Sequence, residues 1–367
     1  MNGVDHNFKM PQVWKSSLAL DLQLPVSFPW SMTTEFIFNK TINGTLIQNW
    51  NLKDNTGWSR FTGPDKRHLY PAKADMYYTN YQAYVLTNTH KGYGWNFNIA
   101  TNLEPVKNLK MMFSYTHTVQ KELTGMPGSN AGSVYTGLPT VDGPNFPVLQ
   151  NSEYMRPDRL LASVTYRLPS RTTISMLYEG TMYQGNYYTY SNDMNGDGNA
   201  TDLIYIPTKE QMAVAGQGTA DNVLFATQQD IDLFEAFIEQ DKYLSAHRGG
   251  YAQAYSVFAP MRHRFDLKLT QDIRIKIGSS FNTFQLSADI MNFANILNDK
   301  WGVSYSFDQS VNSGQILTYK GMTENGQPIY ATNFKLTEEQ TVPKTWMKSH
   351  SYTNTWYIQL GLKYLFN

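Results

Sequence analysis

The chain contains no cysteine in its 367 residues, so a disulfide framework, a zinc ribbon and thiol chemistry are excluded. It also has no charge of one sign to spare: 30 basic side chains balance 30 acidic ones, and no global basic field points to nucleic acid. Charged residues make up only 16%, against roughly 25% in ordinary soluble domains. No run approaches the ~18 apolar residues of a membrane helix. The opening Met1-Asn2-Gly3-Val4-Asp5-His6 lacks the basic start and apolar stretch of a signal peptide. The chain therefore reads as cytosolic or as a mature or truncated piece of an exported protein, and the rest of the sequence favours the second. Aromatic and neutral polar residues take the place of charge, with 25 Tyr, 19 Phe and 8 Trp.

Period-two alternation recurs along the chain. Leu18, Leu20, Leu22 and Leu24 alternate with Asp21 and Gln23, and Met32, Thr34, Phe36 and Phe38 with Thr33, Glu35, Ile37 and Asn39. The same holds for Leu109–Thr116, Arg159–Leu168, Phe265–Ile277 and Phe284–Ile290. At the C-terminus Trp356, Ile358, Leu360, Leu362, Tyr364 and Phe366 form the cleanest set, opposed by Gln359 and Lys363. Two readings fit. In an antiparallel sandwich the apolar face is the core. In a membrane barrel it faces lipid, and the polar face lines a wet lumen. Several runs are near the ~9–11 residues of a tilted membrane strand, longer than the usual five or six.

The connections favour the barrel. Leu24–Pro29, Thr101–Lys107, Leu168–Arg171 and Lys276–Ser280 read as tight turns. Between them lie long polar stretches at about 41–92, 119–157, 184–261 and 292–354, expected as long loops on one side of a membrane barrel. One stretch breaks the β pattern: within Asp230–Leu244, Ile231, Phe234, Phe237 and Ile238 fall at helical spacing. It predicts a short amphipathic helix over the barrel rim, with a ligand-contacting lid as the alternative.

Asp193-Met-Asn-Gly-Asp-Gly-Asn-Ala-Thr-Asp-Leu-Ile-Tyr-Ile-Pro207 and Phe237-Ile-Glu-Gln-Asp-Lys-Tyr-Leu-Ser-Ala-His-Arg-Gly249 resemble the late barrel loops of TonB-dependent outer-membrane receptors of the Bacteroidetes. The Oar-like group, with its carboxypeptidase-regulatory-like domain, is more similar than the SusC glycan importers. Arg264-Phe-Asp-Leu-Lys-Leu-Thr-Gln-Asp-Ile273, Gln285–Gly302 and Met10–Asp21 look like strands of that group. The resemblance covers nearly the whole chain. It implies an all-β fold: an antiparallel transmembrane β-barrel, of which this chain is a C-terminal segment of about nine strands. The complete plugged barrel would have about 22. Nothing in residues 1–367 resembles the plug or the energy-coupling box, so the expectation is a fragment, a cleaved product or one member of a split pair.

That resemblance implies an outer-membrane location in a Gram-negative bacterium, with the C-terminus periplasmic. It implies import of a large or scarce nutrient, not enzymatic activity. The implied partners are outer-membrane lipid, the remaining N-terminal strands and plug, the TonB energy-coupling system reached through them, and a surface lipoprotein; nucleic acid is not among them. Two alternatives stand beside it: a structural or adhesion barrel that scaffolds surface lipoproteins, and a secreted carbohydrate-binding β-sandwich.

One chemical motif stands out. Asp193, Asn195, Asp197 and Asn199 place oxygen donors at alternate positions, with Gly198 at the sixth place, as in the first half of an EF-hand calcium loop. The match then fails, because Ile204 occupies the twelfth position and the last acid is Asp202 at the tenth. The loop reads either as a Ca²⁺ site completed from elsewhere or as an Asn/Asp/Gly-rich hairpin tip. No cofactor is required by this reading. His6, His68, His90, His117, His247, His263 and His350 are scattered without metal spacing, and no nucleophile elbow, phosphate loop or dinucleotide fingerprint occurs. Trp14, Trp30, Trp95, Trp301, Trp356, Tyr166, Tyr178, Tyr364 and Phe366 fit interfacial girdles. Tyr183, Tyr187, Tyr188 and Tyr190 fit hairpin self-packing or ligand stacking. The last strand, from Trp356 to Phe366, resembles a barrel-assembly signal.

Overall fold

The computed structural model describes residues 1–53, 56–70, 76–78, 82–183, 185–278, 280–349 and 351–366. Gln184, Ser279, His350 and Asn367 lie outside the described residues. Nine long strands dominate the described residues. They are β1 (Gln12–Gln23), β2 (Trp30–Asn49), β3 (Tyr93–Val106), β4 (Leu109–Glu122) and β5 (Asp158–Arg167), then β6 (Thr172–Thr181), β7 (Arg262–Ile277), β8 (Ser280–Met291) and β9 (Tyr357–Leu365). Each pairs antiparallel with the next in sequence. Three short strands, Asn2–Val4, Tyr84–Thr89 and Gln150–Asn151, extend this sheet to twelve. Among the described residues β1 and β9 each have one neighbour, so the sheet is open.

Register gives the sheet two chemically distinct faces, because side chains alternate along each strand and partners in register share a face. One row runs Leu22, Met32, Thr101, Phe113, Ala162, Tyr178, Phe265 across β1 to β7. Another runs Tyr166, Ile174, Leu269, Ala288, Leu360 across β5 to β9. The opposite face carries Asp21, Thr33, Ala100, Ser114, Leu161, Glu179 and Arg264 in a single row. Ion pairs tie that face together: Arg159 to Glu179 at 3.0 Å, Arg264 to Asp266 at 2.8 Å and Lys268 to Asp289 at 2.8 Å. Leu161, Leu177 and Met112 are apolar exceptions on it. The apolar face is uncovered. Leu18, Leu360 and Leu362 are 76%, 77% and 70% exposed.

Short and long connections segregate to opposite ends of the strands. The turn predicted at Thr101–Lys107 is tighter than expected, since β3 continues to Val106 and only Lys107 and Asn108 intervene before β4. Asn108 adopts φ 68°, a left-handed conformation that asparagine tolerates. Strands also reach further into the long connections than alternation suggested: β2 continues to Asn49, and β4 to Glu122. Trp356 and Phe366, read as part of the last strand, flank β9 instead.

The long connections carry structure of their own. The connections 50–92, 123–157, 182–261 and 292–356 fold together into a second layer with its own core. A five-stranded sheet is assembled from Thr189–Tyr190, Gln315–Met322, Pro328–Thr332, Val223–Phe225 and Met212–Val214 in that spatial order. Apolar runs such as Leu203-Ile204-Tyr205-Ile206 and Val223-Leu224-Phe225 supply what a polar loop lacks, a surface worth burying. After α1 (Ala131–Thr136), the predicted helix appears as α2 (Gln228–Gln240) and α3 (Lys242–Ala246). Phe234, Phe237 and Ile238 of α2 are fully buried. Thr227 caps α2 by accepting from the Asp230 N–H at 3.1 Å. Asp241 interrupts the helix and caps α3, accepting from Tyr243 N at 2.9 Å and Leu244 N at 2.8 Å. The helix is core, packed within the layer.

Candidate functional site in the loop layer

The acidic loop closes on itself. Both oxygens of the Asp193 carboxylate accept backbone N–H groups, from Gly196 at 2.7 Å and Gly198 at 2.8 Å. Gly196 and Gly198 sit at φ 85° and 90°, the left-handed region that glycine enters at little cost. Asn195 Oδ1 accepts from Asp197 N at 3.0 Å, and Asp197 Oδ1 from Asn199 N at 2.8 Å. Asp202 folds back, its Oδ2 accepting from Met194 N at 2.9 Å. Carboxylate oxygens of Asp193, Asp197 and Asp202 thereby come within 4.8 Å of one another. No other group of three or more His, Asp or Glu among the described residues is so close. Ile204, at the twelfth position, is a core residue with no exposure.

Beside this loop lies a buried ionic knot. Asp65 and Arg67, 1% exposed each, come from the first long connection. The Arg67 Nε–H donates to Asp65 Oδ1 at 3.0 Å, and Nη2 to the Leu203 carbonyl at 2.8 Å. Tyr330 and Tyr251 donate their hydroxyls to Asp65 at 2.8 and 3.0 Å. The guanidinium lies 5.0 Å from the centroid of the Tyr190 ring. Burial is the largest single influence and opposes the charge on Arg67, but Asp65, Tyr190, Asp202 and Tyr330 together outweigh it and raise its pKa. Its Nη1 has no hydrogen bond and stands 3.9 Å from Asp202 Oδ1, which also has none.

The electrostatics of the two parts differ. Desolvation raises the pKa of Asp197, with Asp193 adding to it. Asp202 is raised by desolvation and by Asp197, against the pull of Arg67. Burial likewise raises the phenols of Tyr70 and Tyr135, and the charge of Asp197 reaches both. One guanidinium does not neutralise this many carboxylates.

The remaining sequence candidates separate. Tyr188 and Tyr190 are fully buried, and Tyr187 packs edge-on against Tyr255 at 5.2 Å. The Tyr183 ring lies under Arg156 and Arg262. These contacts are packing contacts. His117 meets Asp158 at 2.8 Å, where the Tyr115 hydroxyl also donates at 2.6 Å, and His68 meets Asp142 at 3.1 Å. Ile358, Leu360, Leu362 and Tyr364 share one face of β9, in register with Ile290, Ala288, Leu286 and Phe284. Trp301 lies in the fourth long connection, between α4 (Ala294–Leu297) and the strand Tyr305–Phe307, and lines a cavity with His263 and Phe265 at the start of β7.

Asp65, Arg67, Tyr251 and Tyr330 were invisible as a group in the sequence. Asp65 and Arg67 are two residues apart, but Tyr251 and Tyr330 come from distant connections. The apolar runs Leu203–Ile206 and Val223–Phe225 are the sequence signal that could have shown a core in the connections. No protein-family model, curated protein or solved structure matches the chain.

Proposed function

We propose that the chain forms part of the wall and the outer cap of an outer-membrane receptor of the TonB-dependent type, which imports a large or scarce nutrient. The observation that carries this reading is the uncovered apolar face of a nine-stranded antiparallel sheet in a chain whose loops bury a core of their own. A secreted sandwich would bury that face against a second sheet, as apolar surface favours by about 25 cal/mol per Å². Here the other sheets belong to the loop layer. Lipid is the solvent that makes such a face favourable.

The edges support the same reading. β1 and β9 run in the same direction, because nine strands alternate between them. Pairing them directly would give a parallel contact, whereas bacterial barrels are antiparallel and even-stranded. Unpaired backbone groups in hydrocarbon cost several kcal/mol each, so both edges are paired in the membrane. An odd number of further strands completes the wall, which a barrel of about 22 satisfies. The short turns then face the periplasm. The long connections face the exterior, where the layer they form meets the nutrient or a surface lipoprotein. The plug and the energy-coupling contact belong to the rest of the receptor.

The absence of cysteine makes the test direct, since any introduced thiol is unique. A nitroxide on Leu362→Cys in lipid vesicles should be accessible to oxygen and shielded from a water-soluble nickel complex. On Gln359→Cys the order should reverse. Water-like accessibility at both positions would reject the membrane wall.

A further inference from the structure

Eleven buried side-chain polar atoms lack a hydrogen-bond partner among the described residues, three of them at the acidic loop: Arg67 Nη1, Asn195 Nδ2 and Asp202 Oδ1. The first two are donors; Asp202 Oδ1 is a carboxylate oxygen that no donor meets, on a residue only 2% exposed, so bulk water does not reach it. An isolated buried polar atom costs about 1–3 kcal/mol, and charged ones cost more. Such a cluster requires a compensating group.

The charge balance says which kind. Asp193, Asp197, Asp202 and Asp65 face one guanidinium, and that guanidinium is already committed to Asp65 and the Leu203 carbonyl. We propose that Asp193, Asp197 and Asp202 bind a single Ca²⁺, with the side-chain oxygens of Asn195 and Asn199 as further donors. The site fastens the third long connection to the first and second. An all-oxygen set is the chemistry of a hard cation. The donor set favours calcium over magnesium, because Mg²⁺ keeps several waters and binds through one or two carboxylates, not through a cage of protein oxygens. Asp202 takes the part of the missing twelfth-position acid. The chain after it runs into the core at Ile204 instead of starting a helix. The second connection reaches the site through Thr140, whose carbonyl accepts from Leu203 N at 2.8 Å, and through Thr136, whose carbonyl accepts from the Thr201 hydroxyl at 3.2 Å. The first reaches it through Tyr70, whose N–H donates to the Asn195 carbonyl at 2.7 Å. This inference needs only the folded loop layer and stands whether or not the sheet lies in a membrane.

The test uses the full chain, stripped with chelator and titrated with CaCl₂ or MgCl₂ alone. At 100 times the dissociation constant, Ca²⁺ should shift the folded-to-open ratio of the loop layer about 100-fold, read as slower cleavage by protease. Mg²⁺ at the same concentration should not. Terbium in place of calcium should show emission sensitised by Tyr70 and Tyr135, lost in Asp193→Ala/Asp197→Ala and retained in the control Asp221→Ala. Should the double variant fail to fold, the wild-type titration decides alone. Identical cleavage in chelator and in Ca²⁺, with no sensitised terbium emission, would overturn the site and leave a self-capped hairpin.

Discussion

The wall and the loop layer use the same apolar residues in opposite ways. In the wall, Leu18, Phe36, Leu286 and Leu360 project from a regular sheet and stay exposed. In the loop layer, Tyr188, Phe225, Phe237 and Ile316 are fully buried against one another. The wall gets its order from backbone pairing and leaves its side chains to a surrounding solvent. The layer has few long strands, and gets its order from side chains that meet across the connections. The polar groups follow suit. Wall ion pairs such as Arg159 with Glu179 are half-exposed, whereas Asp65 with Arg67 is sealed.

That contrast can be broken at defined points. The largest effects belong to the layer. Phe237→Ala should destabilise it by about 3–5 kcal/mol through the cavity left in a fully packed site, measured by denaturant unfolding followed with protease. Arg67→Met should cost a similar amount, about 3–5 kcal/mol, because it leaves Asp65 buried without its cation. Its wall counterpart, Arg159→Met, should cost less than about 1 kcal/mol, since exposed pairs contribute little. Equal costs for the two arginines would erase the distinction between sealed and solvated pairs. Thr227→Ala removes the cap of α2 and should cost about 1 kcal/mol, seen as earlier cleavage within 228–246.

A smaller effect follows from the raised carboxyls of Asp197 and Asp202. A folded-state pKa above the unfolded value, near 3.9, means that the folded layer holds protons the unfolded chain gives up. Their contribution is fully present below the ordinary aspartate range and is lost as pH rises through the raised values. Burial sets it first, with the neighbouring carboxylate of Asp193 and that of Asp197 on Asp202 adding to it, against Arg67 and the hydrogen bonds from Asn195, Asn199 and the Met194 backbone. In chelator, protease resistance of the wild type should therefore fall from mildly acidic to mildly alkaline pH relative to Asp197→Asn/Asp202→Asn. A parallel pH dependence for the two proteins would contradict that assignment.

The two regions also differ in how far the sequence reveals them. Wall strands are local: Phe265 to Ile275 alternates against Asp266 to Arg274, and period two is readable without knowing any neighbour. β6 is less legible because Leu177 falls on the polar face and blurs the alternation. The loop layer is non-local. Tyr190, Tyr251 and Tyr330 converge on Asp65 from three distant stretches, and only folding tells a buried Arg67 from a solvated one. Helix α2 was legible because its apolar spacing is internal to thirteen residues. The acidic loop stood out by spacing alone. Its link to Arg67, Tyr70 and Tyr135 depended on contacts between separate connections.

The most direct measurement compares Leu362→Arg with Gln359→Arg, three residues apart on β9 and on opposite faces. Both variants are folded into lipid vesicles beside the remaining strands of the barrel, and their unfolding free energies are measured. Leu362→Arg should cost about 2–4 kcal/mol by placing a charge in hydrocarbon. Gln359→Arg, beside Asp289 on the polar face, should be close to neutral. Equal costs at the two positions would contradict a lipid-facing wall.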